Sequence, residues 1–206
     1  MDLETRRQFI HMSGLATPFY LLIIKIYFGN MAPAFLLAIM LAIGYFVASL
    51  YSKGVKLPLF SQLIDMAERE RSKVTPGRGT FRFYTGALLA YILMLVFNKP
   101  YFMFASAVLV LAMGDSASTL VGVRFGRNKI PYNKHKSIEG AVAGFSFAFI
   151  GIFLAQVLIF AVSPLYAVII SVSASFIGML VESLPLPVDD NLSIPVATIV
   201  FLSIIF

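Results

Sequence analysis

Seven long apolar runs, separated alternately by short turns and longer charged segments, dominate the chain. A membrane-spanning helix needs about 20 mostly apolar residues, and these runs approach or reach that length. The short turns contain Gly, Asn, Ser or Pro, which predicts that the helices they join are antiparallel neighbours. We therefore predict an all-α, polytopic membrane protein with about seven transmembrane helices. The predicted spans are residues 9–28, 32–51, 82–97, 101–123, 140–161, 165–182 and 192–206.

The three longer connections, at 52–81, 124–137 and 183–191, carry most of the charge. If the N-terminus is cytoplasmic, all but two of the 16 Lys and Arg residues lie on the cytoplasmic side, the exceptions being Lys25 and Lys99. This distribution follows the positive-inside rule and fixes the predicted orientation. The acidic residues gather at the same face, which that rule does not require.

Composition removes several classes of protein. The chain is 59% hydrophobic and 13% charged, whereas a soluble domain is about 45–50% apolar and about 25% charged. The absence of cysteine excludes disulfides and argues against a Cys/His zinc site. The net charge of +6 is explained by the cytoplasmic loops, so no nucleic-acid partner is expected. We expect a single transmembrane domain over residues 1–206, whose small-residue helix faces are compatible with a homodimer.

An aspartate within an apolar run is the first sign of chemistry. Asp115 lies about eight residues from the cytoplasmic end of the fourth run, hence roughly 12 Å deep. An ionisable group at that depth costs several kcal/mol unless it is paired, and indicates a functional site. Ser118, Gly122 and Gly126 follow on the same helical face. The glycines fit either close helix packing or the approach of a ligand to the backbone.

Two other polar residues lie near the cytoplasmic ends of apolar runs. Glu182 ends the sixth run, and it is either a site carboxylate or a solvated helix end. His11 shares a face of the first run with Arg7 and Gly14, and a structural role for it is as plausible as a functional one. In the first long loop, the mixed-charge stretch 65–73 predicts an interfacial helix, or alternatively a lid over the site.

The basic loop at 124–140, RFGRNKIPYNKHKSIEG, precedes the fifth span. Ser137 is a suitable N-cap for a helix that begins at Ile138, and Glu139 suits its first turn. A helix N-terminus flanked by Lys and Arg binds phosphate readily. The alternative is an ordinary positive-inside loop followed by a capped helix.

The last loop contains the adjacent carboxylates Asp189 and Asp190, followed by Asn191. Hard oxygen ligands of this kind suit Mg²⁺, which typically binds one or two carboxylates together with substrate phosphates. A capped helix start at Asp190 or Asn191 is the competing interpretation. Carboxylates that face a basic loop are equipment for a nucleotide–Mg²⁺ complex, although neither a Walker A sequence nor a kinase glycine-rich loop is present.

Three segments resemble the dolichol kinase family of CTP-dependent lipid kinases. GDSASTLVGVRFGRNKIPYNKHKSIEGAVAG, at 114–144, looks like its signature, and DDNLSIP, at 189–195, looks like its later Asp-Asp-Asn-x-x-Ile-Pro element. RRQFIHMSG, at 6–14, is similar to its N-terminal Arg-Lys-x-x-His element. The signature is shared with phosphatidate cytidylyltransferases, but the Pro-Gly-His-Gly-Gly element of those enzymes is missing here, which favours the kinase.

The resemblance implies an integral membrane enzyme that uses CTP and a divalent metal to phosphorylate a lipid alcohol at the cytoplasmic face. Its acceptors would be dolichol-type polyprenols, diacylglycerol or phytol-type alcohols. A cytidylyltransferase that makes a CDP-lipid and a small membrane transporter are the alternatives. The transporter predicts polar residues through the whole membrane thickness, whereas the outer halves of these spans are almost uniformly apolar.

The expected site is built on these motifs. Asp115, Asp189 and Asp190 would hold Mg²⁺. Lys136 would neutralise phosphate charge, and Glu182 or a loop aspartate would orient or deprotonate the lipid hydroxyl, which makes Asp115, Lys136, Glu182 and Asp190 the expected catalytic residues. The residues expected to contact the nucleotide are His11, Gly114, Ser118, Gly122, Arg124, Gly126, Lys129, Lys134, Ser137, Glu139, Gly140 and Asn191.

Overall fold

Helices account for most of the chain that a computed structural model describes, namely Gln8, residues 11–55 and residues 78–206. A 3₁₀ turn, Ser13–Ala16, precedes the first helix. The helices are α1 (Thr17–Phe28), α2 (Ala32–Ser52), α3 (Arg78–Val96), α4 (Tyr101–Leu109), α5 (Ser116–Phe125), α6 (Ile138–Leu158), α7 (Pro164–Ser183) and α8 (Asp190–Ile205). The predicted interfacial helix at 65–73 and the predicted role of Arg7 lie outside the described residues.

The helices confirm the predicted fold class and about seven helical spans. Within the described residues, five segments are long and apolar enough to cross a membrane: Ala32–Ser52, Gly79–Val96, Tyr101–Phe125, Ile138–Leu158 and Pro164–Ser183. Two shorter apolar segments, Ser13–Phe28 and Asp190–Ile205, correspond to the first and last predicted spans. Backbone conformation ends two of these helices. Gly29 and Asn98, which come just after α1 and α3, adopt φ of +88° and +52°, values that glycine and asparagine tolerate.

The span Tyr101–Phe125 is the centre of the bundle, because 72% of its apolar window is buried. Within it, Val110–Asp115 forms a π-helical segment between α4 and α5. A π-segment widens one turn of a helix and often occurs at functional sites. Here it ends at Asp115, and α7 and α8 both pack against it.

The basic loop folds into a small antiparallel hairpin rather than an irregular loop. Strand β1 (Lys129–Ile130) pairs with β2 (Asn133–Ser137). The hairpin is fastened to the end of α7, because the Asn133 side-chain amide donates to the Ser183 carbonyl at 3.0 Å and the Tyr132 and Ser183 hydroxyls lie 2.8 Å apart. This attachment fixes the position of Lys136 over the end of the bundle.

Glycines set the distance between α5 and α6. A Cβ at Gly140 would lie 2.7 Å from the Ser118 carbonyl oxygen and 3.2 Å from the Cα of Gly122. A Cβ at Gly122 would lie 3.2 Å from the Ser137 hydroxyl oxygen. Helix packing therefore accounts for these glycines, and the closer approach of a nucleotide to them stays a prediction.

We expect Gly140→Ala to destabilise the protein by about 1–3 kcal/mol, because the added methyl group meets backbone atoms that cannot rotate away. Gly79→Ala is the matched control, since no atom of the described residues lies within 4 Å of its Cβ position, and it should change stability by less than about 0.5 kcal/mol. Thermal unfolding in detergent measures both variants. Equal stability of the two would contradict the packing argument.

Candidate active site

Three carboxylates from distant parts of the chain meet at one end of the helical bundle. Asp115 ends the π-segment, Glu182 lies in the last turn of α7, and Asp190 is the first residue of α8. Each offers a carboxylate oxygen, and these oxygens all lie within 4.8 Å of one another. The Glu182 side chain is 1% exposed and that of Asp190 is 32% exposed. The cluster therefore extends from the protein interior to its surface.

Lys136 of β2 provides the positive charge for this cluster. Its Nζ donates to Glu182 Oε1 and, at 3.1 Å, to Asp190 Oδ2. Burial by itself would lower the pKa of Lys136, but the carboxylates of Glu182, Asp115 and Asp190 outweigh it, so the pKa is raised above its usual value. Lys136 therefore keeps its proton at physiological pH and acts as a fixed charge rather than as a base.

The Glu182 carboxylate also accepts a hydrogen bond from Ser118, one of the residues predicted to share a helical face with Asp115. The Ser118 hydroxyl donates to Glu182 Oε1 at 2.9 Å, so the bonds from Ser118 and Lys136 both go to that one oxygen. Glu182 Oε2 is buried and has no hydrogen-bond partner within the described residues, and the same is true of Asn191 Oδ1. Leaving a buried acceptor unpaired costs about 1–3 kcal/mol, so the second Glu182 oxygen, inside the carboxylate cluster, is available to accept from a ligand or a water molecule.

The donor atoms of this site fit a hard divalent cation. Carboxylate and amide oxygens are the ligands that Mg²⁺ prefers, and that ion usually keeps a few protein ligands and shares the rest with phosphates. Asp115 and Asp190 supply carboxylates, and the side-chain oxygen of Asn191, the residue after Asp190, is a buried acceptor with no donor among the described residues. The predicted metal chemistry is thus consistent with the atoms present.

The two adjacent aspartates of the last loop have different surroundings. Asp189 forms an ion pair with Arg82 of α3 and caps α8, accepting from the Asn191 backbone and side-chain nitrogens at 3.2 and 2.9 Å. It is not one of the three clustered residues. Both interpretations of the loop therefore apply, a helix cap at Asp189 and a site carboxylate at Asp190, and the metal role predicted for Asp189 remains untested. Sequence reasoning missed Arg82, whose only signal was a cation at the start of a span.

The N-terminal segment also reaches the cluster. His11 Nε2 lies 3.5 Å from Asp115 Oδ2. The His11 ring packs edge-on against Phe83, with 5.4 Å between ring centroids. His11, which the sequence places on a polar face of the first span, therefore lies beside Asp115.

The remaining residues of the basic loop divide into structural and exposed sets. Ser137 caps α6 as predicted, accepting from the Gly140 backbone at 3.2 Å. Glu139 accepts from both the backbone and the side-chain nitrogen of Asn128, which ties the start of the hairpin to α6. Gly114 and Gly126 are packed against neighbouring protein atoms. The exposed residues of the loop include Arg124, Lys129 and Lys134, which are predicted to contact the nucleotide.

Comparison with known proteins supports the resemblance seen in the motifs. Phytol kinase 1 of Arabidopsis thaliana is 35% identical over 126 residues, covering 54% of this chain and 40% of the relative. Farnesol kinase of the same plant is 33% identical over 128 residues, covering 52% of this chain and 38% of the relative. An uncharacterised protein of Methanocaldococcus jannaschii is 29% identical over 194 residues, covering 93% of this chain and 88% of that protein.

These relatives place the chain among proteins similar to kinases of isoprenoid alcohols, which confirms the lipid-kinase resemblance. The chain spans 33–49% of the length of the phytol kinases and probable phytol kinases that it matches. No protein-family model matches the chain. No solved structure matches it at a significant level.

Proposed function

We propose that this chain, a relative of phytol and farnesol kinases, transfers a phosphoryl group from CTP to the hydroxyl of an isoprenoid alcohol in the membrane. The observation that carries the proposal is the meeting of Asp115, Glu182 and Asp190 around Lys136 at one end of an apolar helical bundle. Phosphoryl transfer depends mainly on positioning and on neutralising negative charge. Lys136 and a divalent cation held by the carboxylates would supply the positive charge beside the bilayer.

The reaction would exchange one P–O bond for another. The acceptor hydroxyl oxygen bonds to the γ-phosphorus of CTP while the bond from that phosphorus to the β,γ-bridging oxygen breaks, and CDP leaves. The hydroxyl proton passes to Glu182 Oε2, because that oxygen is buried and lacks a partner within the described residues. Lys136 supports this role by holding the other oxygen of the same carboxylate.

The phosphates would be held by a divalent cation and by the basic hairpin. Asp115 and Asp190 would hold Mg²⁺, which when bound screens the negative charge of the transferring phosphoryl group. Arg124 and Lys129 lie on the exposed side of the loop, where they would contact the nucleotide. The preference for CTP rests on the motif resemblance. The positive-inside distribution supports a site on the cytoplasmic face.

The proposal is tested by a product assay with purified protein, labelled CTP or ATP, and Mg²⁺. The acceptors would be farnesol, phytol, a dolichol-type polyprenol, diacylglycerol and phosphatidate. We expect a prenyl monophosphate and CDP from CTP with farnesol or phytol, and little product with ATP. Equal turnover of ATP would correct the nucleotide. Pyrophosphate and a CDP-lipid formed from phosphatidate would instead identify a cytidylyltransferase and overturn the kinase.

A further inference from the structure

An apolar groove opens beside the carboxylate cluster, between α6, α7 and the hairpin. Its volume is about 430 Å³, within the range of about 300–1,000 Å³ usual for small-molecule sites. The lining side chains are apolar apart from the hydroxyl groups of Tyr132 and Ser183, which lie 2.8 Å apart. An apolar groove with hydroxyl groups in its lining suits a molecule with a long hydrocarbon tail and a polar head.

The groove and the cluster share the last turns of α7. Ser183 lines the groove, whereas the neighbouring residue Glu182 belongs to the carboxylate cluster. Met179, one turn earlier, also lines the groove, and its Cε lies 2.7 Å from the Cβ position of Gly114. The Met179 side chain therefore extends from the groove to the residue that precedes Asp115. A methionine side chain is flexible and adapts its shape to its neighbours. Met179, which separates the groove from the cluster, can therefore change its rotamer.

The groove continues as a row of aromatic rings along α6. Phe145 lines the groove and stacks on Phe149 with 6.4 Å between ring centroids, and Phe149 stacks on Phe153 at 6.0 Å. Eight residues of helix cover about 12 Å. This row leads from the groove toward the opposite side of the membrane, as a long tail in the bilayer requires.

We propose that the groove holds the isoprenoid tail of the acceptor alcohol, with the hydroxyl end passing Met179 to reach Asp115 and Glu182. This inference rests on the proposed function for the identity of the tail. The occupant is a prenyl chain because the relatives of this protein act, by their names, on phytol and farnesol.

The test fills the groove with a side chain that faces the lipid and so does not disturb the core. Val142, which lines the groove, is 60% exposed, and Ile43, on α2 and outside the groove, is 56% exposed. We expect Val142→Trp to lower kcat/KM for farnesol and phytol by about 10-fold or more and to leave KM for CTP unchanged. The control Ile43→Trp should retain wild-type values, and equal activity of the two variants would overturn the groove as the acceptor site.

A second measurement does not depend on turnover. A farnesol analogue carrying a diazirine on its tail would be photolysed with the wild-type protein in vesicles, and the labelled peptides would be mapped by mass spectrometry. Labelling of 138–145 and 176–183 that excess farnesol removes would support the proposal even if no phosphoryl transfer is found. Labelling spread over the exposed face of α2, or removed only by added phospholipid, would overturn it.

Discussion

Asp115→Asn is expected to lower kcat by on the order of 10³-fold, because it removes an anionic ligand of the divalent cation that would balance the phosphate charge. The variant keeps the size and shape of the side chain, so the π-segment and the packing of α7 and α8 should persist. Steady-state rates over a range of Mg²⁺ concentrations would measure the effect. Asp190→Asn is expected to behave in the same way, since its carboxylate lies within 4.8 Å of those of Asp115 and Glu182.

The control for this prediction is the neighbouring aspartate. Asp189→Asn should retain the helix cap, because asparagine caps helices as well as aspartate does. It would lose the ion pair with Arg82, which is partly exposed, so we expect less than about a tenfold change in rate. A loss in Asp189→Asn as large as that in Asp115→Asn would place Asp189 in the metal site and contradict the arrangement described here. Wild-type activity of Asp115→Asn would remove the metal role altogether.

Lys136→Met is expected to abolish activity and also to destabilise the protein by about 3–5 kcal/mol. Removing one partner of a buried ion pair leaves an uncompensated charge in a medium of low dielectric constant, and here Glu182 is 1% exposed. Since Lys136 also contacts Asp190, two carboxylates lose their counter-charge at once. Thermal unfolding in detergent and the CTP-dependent product assay would be measured on the same preparation.

A double variant separates the loss of stability from the loss of activity. In Lys136→Met with Glu182→Gln, the buried carboxylate is neutral, so we expect recovery of at least half of the lost stability but no recovery of turnover. Lys136→Arg provides the matched conservative change, keeping the charge while altering the donor geometry. If the double variant were no more stable than Lys136→Met alone, the pairing of Lys136 with Glu182 would not be the source of the stability.

Local sequence patterns predicted the helices well, because each span is written in consecutive residues. Spans predicted at 101–123 and 165–182 lie within helical segments at Tyr101–Phe125 and Pro164–Ser183. Ser137 was identified as a cap from its place before an apolar run, and it caps α6. These are short-range properties, in which a residue and its near neighbours determine the outcome.

The features missed in the sequence depend on contacts between distant residues or on small backbone energies. Nothing near Asp189 indicates that its partner is Arg82, 107 residues earlier. The π-segment at Val110–Asp115 differs from an α-helix by one hydrogen-bond register and has no distinct hydrophobic period. The hairpin was not predicted, because a segment rich in basic residues and glycine fits an irregular loop as well as a hairpin. Asp115, Glu182 and Asp190 were each recognised, but only the packing of three helices shows that they meet.

The order of the clustered residues along the chain has a consequence for biosynthesis. Asp115 is translated before Lys136, Glu182 and Asp190, so its span would enter the bilayer before its later partners exist. A carboxylate at that depth opposes insertion by several kcal/mol, and His11, which lies 3.5 Å from it, is a partner already synthesised. Insertion of this span should therefore depend on the N-terminal segment, and the chain becomes competent for chemistry only once α8 has been placed in the membrane.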